Sequence, residues 1–340
     1  YVFASTSGDF AVDYNFGQTD FAYSDNAAVG LFTDGSAATP VLDGTAGNDY
    51  LVGDQGDTAI NGGAGDDYLE AGNVLDASAQ IASIEMDYAA GSDSEYLIRT
   101  MESGGSRTQW TFSSWVKLDG NNPDAQYLFS SGEAMDHTRD VASVMIGTDG
   151  RLVYRDTDGT NLNDSLPLVN HAVLESSGTL SNGVWQHVTV AYDSAQLQEG
   201  DRVTFYIDGV QQQIEPGGTW PSQGRESNLN APQFHSVGRY MGNHGGGDTY
   251  LFDGQMADVH FVDGQALTAG SFVQQVGGEW QPRDYTGGTG ANGFHLDFSA
   301  ASNLGADASG NGRNFTSNGS PAQVAQCGVI PPVSGSVQLD

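Results

Sequence analysis

Chemistry first shows in three consecutive nonapeptides, Gly44-Thr45-Ala46-Gly47-Asn48-Asp49-Tyr50-Leu51-Val52, Gly53-Asp54-Gln55-Gly56-Asp57-Thr58-Ala59-Ile60-Asn61 and Gly62-Gly63-Ala64-Gly65-Asp66-Asp67-Tyr68-Leu69-Glu70. Their glycines let the backbone turn sharply with its carbonyls converging, and Asp49 and Asp67 add charge where those carbonyls meet. That is oxygen chemistry suited to a hard divalent cation, since calcium takes about six to eight oxygen ligands. Thr58 stands in the middle unit where its neighbours have Asp. The eighth position is aliphatic throughout (Leu51, Ile60, Leu69, with Leu42 one unit upstream), so the repeats can stack a small core of their own. A flexible Gly-Asp linker is the competing reading of the composition.

Two other stretches concentrate binding chemistry. In Arg155-Asp156-Thr157-Asp158-Gly159-Thr160-Asn161-Leu162-Asn163-Asp164 the oxygen-bearing side chains, Asp156, Asp158 and Asn161 among them, recur as in a calcium loop. The glutamate that closes an EF-hand is missing, and a solvated turn fits the same residues. The glycine-rich segment from Tyr240 to Tyr250 sets Asn243, His244 and Asp248 between two tyrosines, and Trp220 precedes Pro221 as another candidate exposed aromatic. Aromatic faces beside amide and carboxylate acceptors suit sugars, whose CH-rich faces stack while their hydroxyls need oriented partners. A loop tip with no ligand is the alternative there.

These candidates need a scaffold, and the sequence writes one in strands. Val188, Val190 and Tyr192 alternate with polar or small residues, as do Val203, Phe205 and Ile207, and Asp208-Gly209 supplies a tight turn into Val210. Trp110, Phe112, Val116 and Leu118 share one face of a further strand. Others are expected at 84–88, 96–99, 125–130, 141–146, 152–155, 234–238, 257–262 and 293–298, with a short helix over 269–276. Many short strands joined by Gly, Asn and Asp turns predict a two-sheet sandwich.

The nonapeptides resemble the RTX family, whose unit is GGxGxDxLx. The resemblance implies a parallel β-roll in which successive units lie on alternate sides and the ion sits between units two apart. One Ca2+ site is therefore expected, from Gly44, Ala46, Asn48 and Asp49 with Gly62, Ala64, Asp66 and Asp67.

The order SEYLIRT, TQWTFSSWVKL, GVWQHVTVAYDS, VTFYIDGVQ, HSVGRY, YLFDGQMADVHFVDGQALTAGSFVQ and GFHLDFSAASNLGADASGNGRNFTSNG resembles the laminin-G-like members of the concanavalin A-like lectin/glucanase superfamily. It is similar to the version found in tail-fibre and other virion proteins of marine tailed phages. The resemblance implies a jelly-roll that binds sugars or proteins, and the expected fold class is an all-β, concanavalin A-like jelly-roll sandwich with a short N-terminal parallel β-roll. Four segments are expected: a strand-rich stretch 1–40, an RTX-like roll 41–79, the sandwich 80–320 and a linker or docking arm 321–340. The turn Asp307-Ala308-Ser309-Gly310-Asn311-Gly312 is expected to fix a sheet end.

Catalysis has little to stand on. Glucanases of that superfamily align acids at alternate strand positions, whereas Glu85-Met86-Asp87-Tyr88-Ala89 ends in Ala where the second catalytic acid would fall. No G-x-S-x-G elbow or H-E-x-x-H pair occurs, and Cys327 has no His near it in sequence. His187 and His260 are expected at strand surfaces or core edges rather than as bases.

Asp+Glu 43 against Lys+Arg 11 gives a formal charge of -32, which repels nucleic acid and anionic lipid and attracts divalent cations. A single cysteine forms no internal disulfide, and no apolar run approaches the roughly 18 residues of a membrane span. The chain opens at Tyr1 rather than Met, as a processed or trimmed chain would, and its end at Asp340 looks more like a cut than a natural finish. The expectation is a non-catalytic, calcium-stabilised recognition protein for cell-surface polysaccharide or glycoconjugate, extracellular or on a virion surface, as a homo-oligomer or within an assembled particle. A self-associating decoration, fibre or filament component is the alternative, and a hydrolase with a displaced acid pair the third.

Overall fold

The computed structural model describes residues 41–43, 50–52, 59–61, 68–70, 81–87, 94–101, 105–120, 124–132, 140–158, 169–241, 250–276, 278–327 and 336–338. The stretch 1–40, expected as strand-rich, lies outside them. The chain divides into two units, Tyr1–Ala79 with Ile330–Asp340, and Gln80–Val329.

In the first unit Val41–Asp43 pairs in parallel with Ala59–Asn61, Val41 opposite Ala59, and Tyr50–Val52 pairs in parallel with Tyr68–Glu70, Tyr50 opposite Tyr68. Each strand thus meets the one two nonapeptides further on. Ser336–Gln338 adds antiparallel to Tyr68–Glu70.

The second unit is a two-sheet antiparallel sandwich. One sheet has seven strands in the order Val169–Thr179, Arg151–Asp158, Val141–Ile146, Gln126–Gly132, Phe234–Val237, Tyr96–Thr100, Thr316–Asn318. The other has eight: Val210–Gln212, Val203–Ile207, Gln186–Asp193, Gln109–Leu118, Gly254–Asp263, Ile81–Met86 and Ala322–Cys327 in order, with Phe294–Leu296 pairing to Gly254–Asp263. Within the stretch read as linker or arm, Ala322–Cys327 is thus a sheet strand.

Period-two alternation places Trp110 and Phe112 on the inner face of one sheet and Tyr154 and Phe129 on that of the other. Trp110 stacks on Tyr192 at 5.2 Å and 7° and meets Tyr154 edge-on at 5.4 Å, while Phe112 stacks on Phe129 at 5.5 Å and 4°. Such pairs contribute about 0.5–1.5 kcal/mol each beyond the area they bury.

The eight-stranded sheet is covered on its outer face as well. A 3-10 turn Ala269–Ser271 and the hairpin Val273–Val276/Glu279–Pro282 bring Ala269 and Val273 onto Trp115, Tyr206 and Ala257, with Trp185 and Trp280 at the margin. The helix expected over 269–276 therefore shrinks to one 3-10 turn, because Val273 onward finds a cross-strand partner in Glu279–Pro282 and pairs as sheet. Strand Gln109–Leu118 is consequently buried on both faces along almost its whole length.

Candidate functional site

The expected ligands Gly44, Ala46, Asn48, Asp49, Gly62, Ala64, Asp66 and Asp67 lie outside the described residues, as do Asn161, Asn243, His244 and Asp248. The remaining candidates are placed.

Asp156 and Asp158 belong to strand Arg151–Asp158, not to a turn, and their carboxylates already have a cation. Arg225 Nη2 donates to Asp158 Oδ1 at 2.6 Å and lies 3.6 Å from Asp156 Oδ1. Asn228 Nδ2 donates to both, at 3.0 and 2.9 Å, while the Tyr154 hydroxyl donates to Asp156 Oδ2 at 3.0 Å and His171 Nε2 lies 2.8 Å from Asp158 Oδ2. Burial raises the Asp156 carboxyl above its usual range against the pull of Arg225. Burial also opposes ionisation of Asp158, yet the Arg225 and Asn228 hydrogen bonds prevail and lower it. Arg225 thus makes an ion pair with these two carboxylates within the protein.

Trp220 is half-buried and packs against the main core. Tyr240 and Tyr250, in contrast, converge. Tyr240 N donates to Tyr250 O at 3.0 Å, closing the base of the 242–249 segment. Their rings meet Tyr127 at 4.7 and 6.0 Å and each other at 6.0 Å.

Tyr127 stands opposite Met145, on the face of the seven-stranded sheet turned away from the core, because a bulge between Tyr127 and Phe129 shifts the alternation. The Ser130 hydroxyl donates to Arg239 O at 2.6 Å, and a Cβ on Gly132 would come within 2.9 Å of Met241 O, so the segment leading to the tyrosines lies directly on this strand. Burial raises the Tyr127 hydroxyl, and Tyr240 adds to that shift, so Tyr127 stays a neutral phenol. Tyr240 and Tyr250 are half-buried and leave part of their surface to solvent.

Glu85 accepts weakly from Gln255 Nε2 at 3.4 Å and gathers with Asp87 and Asp119, both exposed. The Asp307 turn does fix a chain reversal: its carboxylate accepts from the backbone N–H groups of His295, Ser309 and Arg313 at 3.0, 2.9 and 2.7 Å.

Two histidines depart from expectation. His187 and His260 are 1% and 3% exposed, beneath the covering layer of the eight-stranded sheet. Ser113 Oγ lies 2.8 Å from His187 Nε2, but His187 Nδ1, where a triad carboxylate would sit, has no hydrogen-bond partner. Burial lowers His187 to about 3, so it stays neutral.

Sequence reasoning missed a second group entirely. Asp258 Oδ1 lies 3.0 Å from His260 Nε2 and 2.7 Å from His295 Nε2, and the two imidazoles stack at 3.9 Å and 12°. Burial opposes the charge on Asp258, yet the two histidines hold its carboxyl well below the usual range, and Asp258 raises His295 despite burial. The elements explain the convergence. His260 pairs with His295 in register, and a bulge between Ala257 and His260, with Asp258 in the left-handed region at φ 50°, turns Val259 into the core and both polar side chains out.

Comparison with solved structures gives low-identity likenesses, three of which follow. A heptameric SAP-like pentraxin from Limulus polyphemus is 18% identical with a TM-score of 0.38, covering 56% of this chain and 78% of that one. A Bacteroides ovatus protein proposed to bind carbohydrate is 16% identical with a TM-score of 0.47, covering 76% and 62%. Domains LG4-5 of the mouse laminin alpha1 chain are 13% identical with a TM-score of 0.34, covering 54% and 41%. A comparison with curated proteins finds no match. A family profile described as the Concanavalin A-like lectin/glucanases superfamily matches residues 91–271, more than half of the chain, and its span falls within the sandwich unit. The chain belongs to that superfamily, through a laminin-G-like domain.

Proposed function

We propose that this protein is a non-catalytic glycan-binding module that works outside the cytoplasm, on a cell exterior or a virion surface, and that its first unit is a calcium-binding RTX-type roll. The observation that carries the glycan reading is the Tyr127, Tyr240 and Tyr250 cluster at the base of a glycine-rich segment. Tyr127 is buried and braces its neighbours, which keeps two partly solvent-facing rings fixed before a ligand arrives. Asn243, His244 and Asp248 follow within the same segment and would supply the oriented polar partners. The calcium reading is supported by parallel pairing between strands two nonapeptides apart, the spacing an alternating-sided roll requires.

The test is a polysaccharide and glycan array probed with the full chain and with Tyr240→Ala. Binding that falls about tenfold in the variant, the equivalent of about 1.4 kcal/mol, fits loss of one stacking surface. Undiminished binding by the variant would move the site elsewhere. Turnover of any bound polysaccharide to shorter chains would replace the reading with an enzymatic one.

A further inference from the structure

Asp258, His260 and His295 form a set of donors that the glycan reading does not use. We propose that they are a binding site for a borderline divalent first-row cation of the zinc type, on the outer face of the eight-stranded sheet and distinct in chemistry from any all-oxygen calcium site. One ligand atom from each of Asp258, His260 and His295 lies within 4.8 Å of the other two, and both Nε2 atoms approach Asp258 Oδ1 at 3.0 and 2.7 Å. Both imidazoles aim the same nitrogen at one carboxylate oxygen, so an ion entering there would meet all three with modest side-chain adjustment. Two imidazoles and one carboxylate match the protein ligands of open zinc sites, which keep further positions for water. Imidazole nitrogen selects such cations over calcium and magnesium, which prefer oxygen throughout.

The fold prepares this set rather than leaving it to chance. Cross-strand register holds the two rings stacked, and the bulge that admits Asp258 costs the backbone a left-handed residue other than glycine. Phe272 packs against His260 at 5.2 Å and closes the dry side, while the His295 side chain remains 25% exposed and gives an ion its way in. Asp297 and Asp307 lie close enough to add negative potential at His295. A bound ion would clip Gly254–Asp263 to Phe294–Leu296, the short strand that hangs off the sheet.

The experiment titrates the chelator-stripped full chain with Co2+ in excess Ca2+, which occupies oxygen-rich sites first. One equivalent bound with visible d–d absorption, and paramagnetically shifted ring protons of His260 and His295, is the expected result. His295→Gln should weaken Co2+ binding by at least about 100-fold while the far-ultraviolet circular dichroism stays unchanged, since a ligand matters at least as much as the outer-shell partners of a metal site. Unshifted His260 and His295 rings at saturating Co2+, or equal affinity in a folded His295→Gln variant, would overturn the proposal. Should that variant not fold, the ring-proton readout on the unsubstituted chain decides alone. Neither result bears on glycan binding, which is read separately on the array.

Discussion

His235 shows how completely a single side chain can be committed to one protonation state. Its Nε2 accepts from Asn230 N at 3.0 Å and its Nδ1 faces Gln233 O at 3.0 Å, so one nitrogen must carry the proton and the other must not. Burial lowers it to about 4 from 6.5, and Arg99 on the neighbouring strand pushes the same way. Because the unfolded chain takes up this proton first, stability is full above about pH 6.5 and falls as pH drops toward 4, by about 3 kcal/mol at about 1.4 kcal/mol per unit. Urea midpoints across that window should therefore decline, and His235→Gln should remove close to one proton from the pH slope. An identical slope in the variant would show that other groups, His187 among them, account for the whole decline. Little of this was legible beforehand. His235, like Asp258, His260 and His295, gains its chemistry from partners set by strand register and by a bulge, and neither is written in local alternation. The same holds for Asp156 and Asp158, whose ion-pair partner Arg225 lies far along the chain.

The strands were easier to read where one face is apolar. The hairpin of Gln186–Asp193 with Val203–Ile207 follows its alternation, and Asp208 and Gly209 take φ 46° and 68° at the turn into Val210–Gln212 as a tight reversal demands. Strand Val169–Thr179 was missed because it is an edge: only Ala172, Leu174 and Ser176 turn inward, and its polar, glycine-containing text resembles loop. The same turn yields a prediction. A Cβ on Gly209 would fall 2.2 Å from the Trp280 ring, so Gly209→Ala must both strain the backbone and displace the aromatic that caps the outer layer. We expect a loss of about 2–3 kcal/mol in denaturant unfolding, with the fluorescence of Trp280 shifted red as it leaves its contact. A variant as stable as the parent would mean that the covering hairpin is loosely held.

Taken as a whole, the chain couples a sandwich to a repeat segment under a charge of -32. Superfamily and sandwich were legible from strand order and motif text, because each core-facing residue is local evidence for the layer it builds; the ion chemistry proposed for the repeats would rest on carbonyls that only a folded turn brings together. On the proposed reading, such a segment would be too short to bury much apolar surface by itself, and its aspartates would repel one another until a cation arrived. Calcium added to the chelated full chain should therefore increase the β signal in circular dichroism, and Asp49→Ala or Asp67→Ala should each abolish most of that increase at millimolar calcium. Magnesium should fail to substitute, since it dehydrates reluctantly and demands near-octahedral geometry. The sandwich supplies the internal control: its near-ultraviolet signal, dominated by Trp110 and the rings stacked around it, should not change with calcium. If both variants respond to calcium as the parent does, the ion is acting on the general acidic surface, and the roll would have to be given up as its binding site.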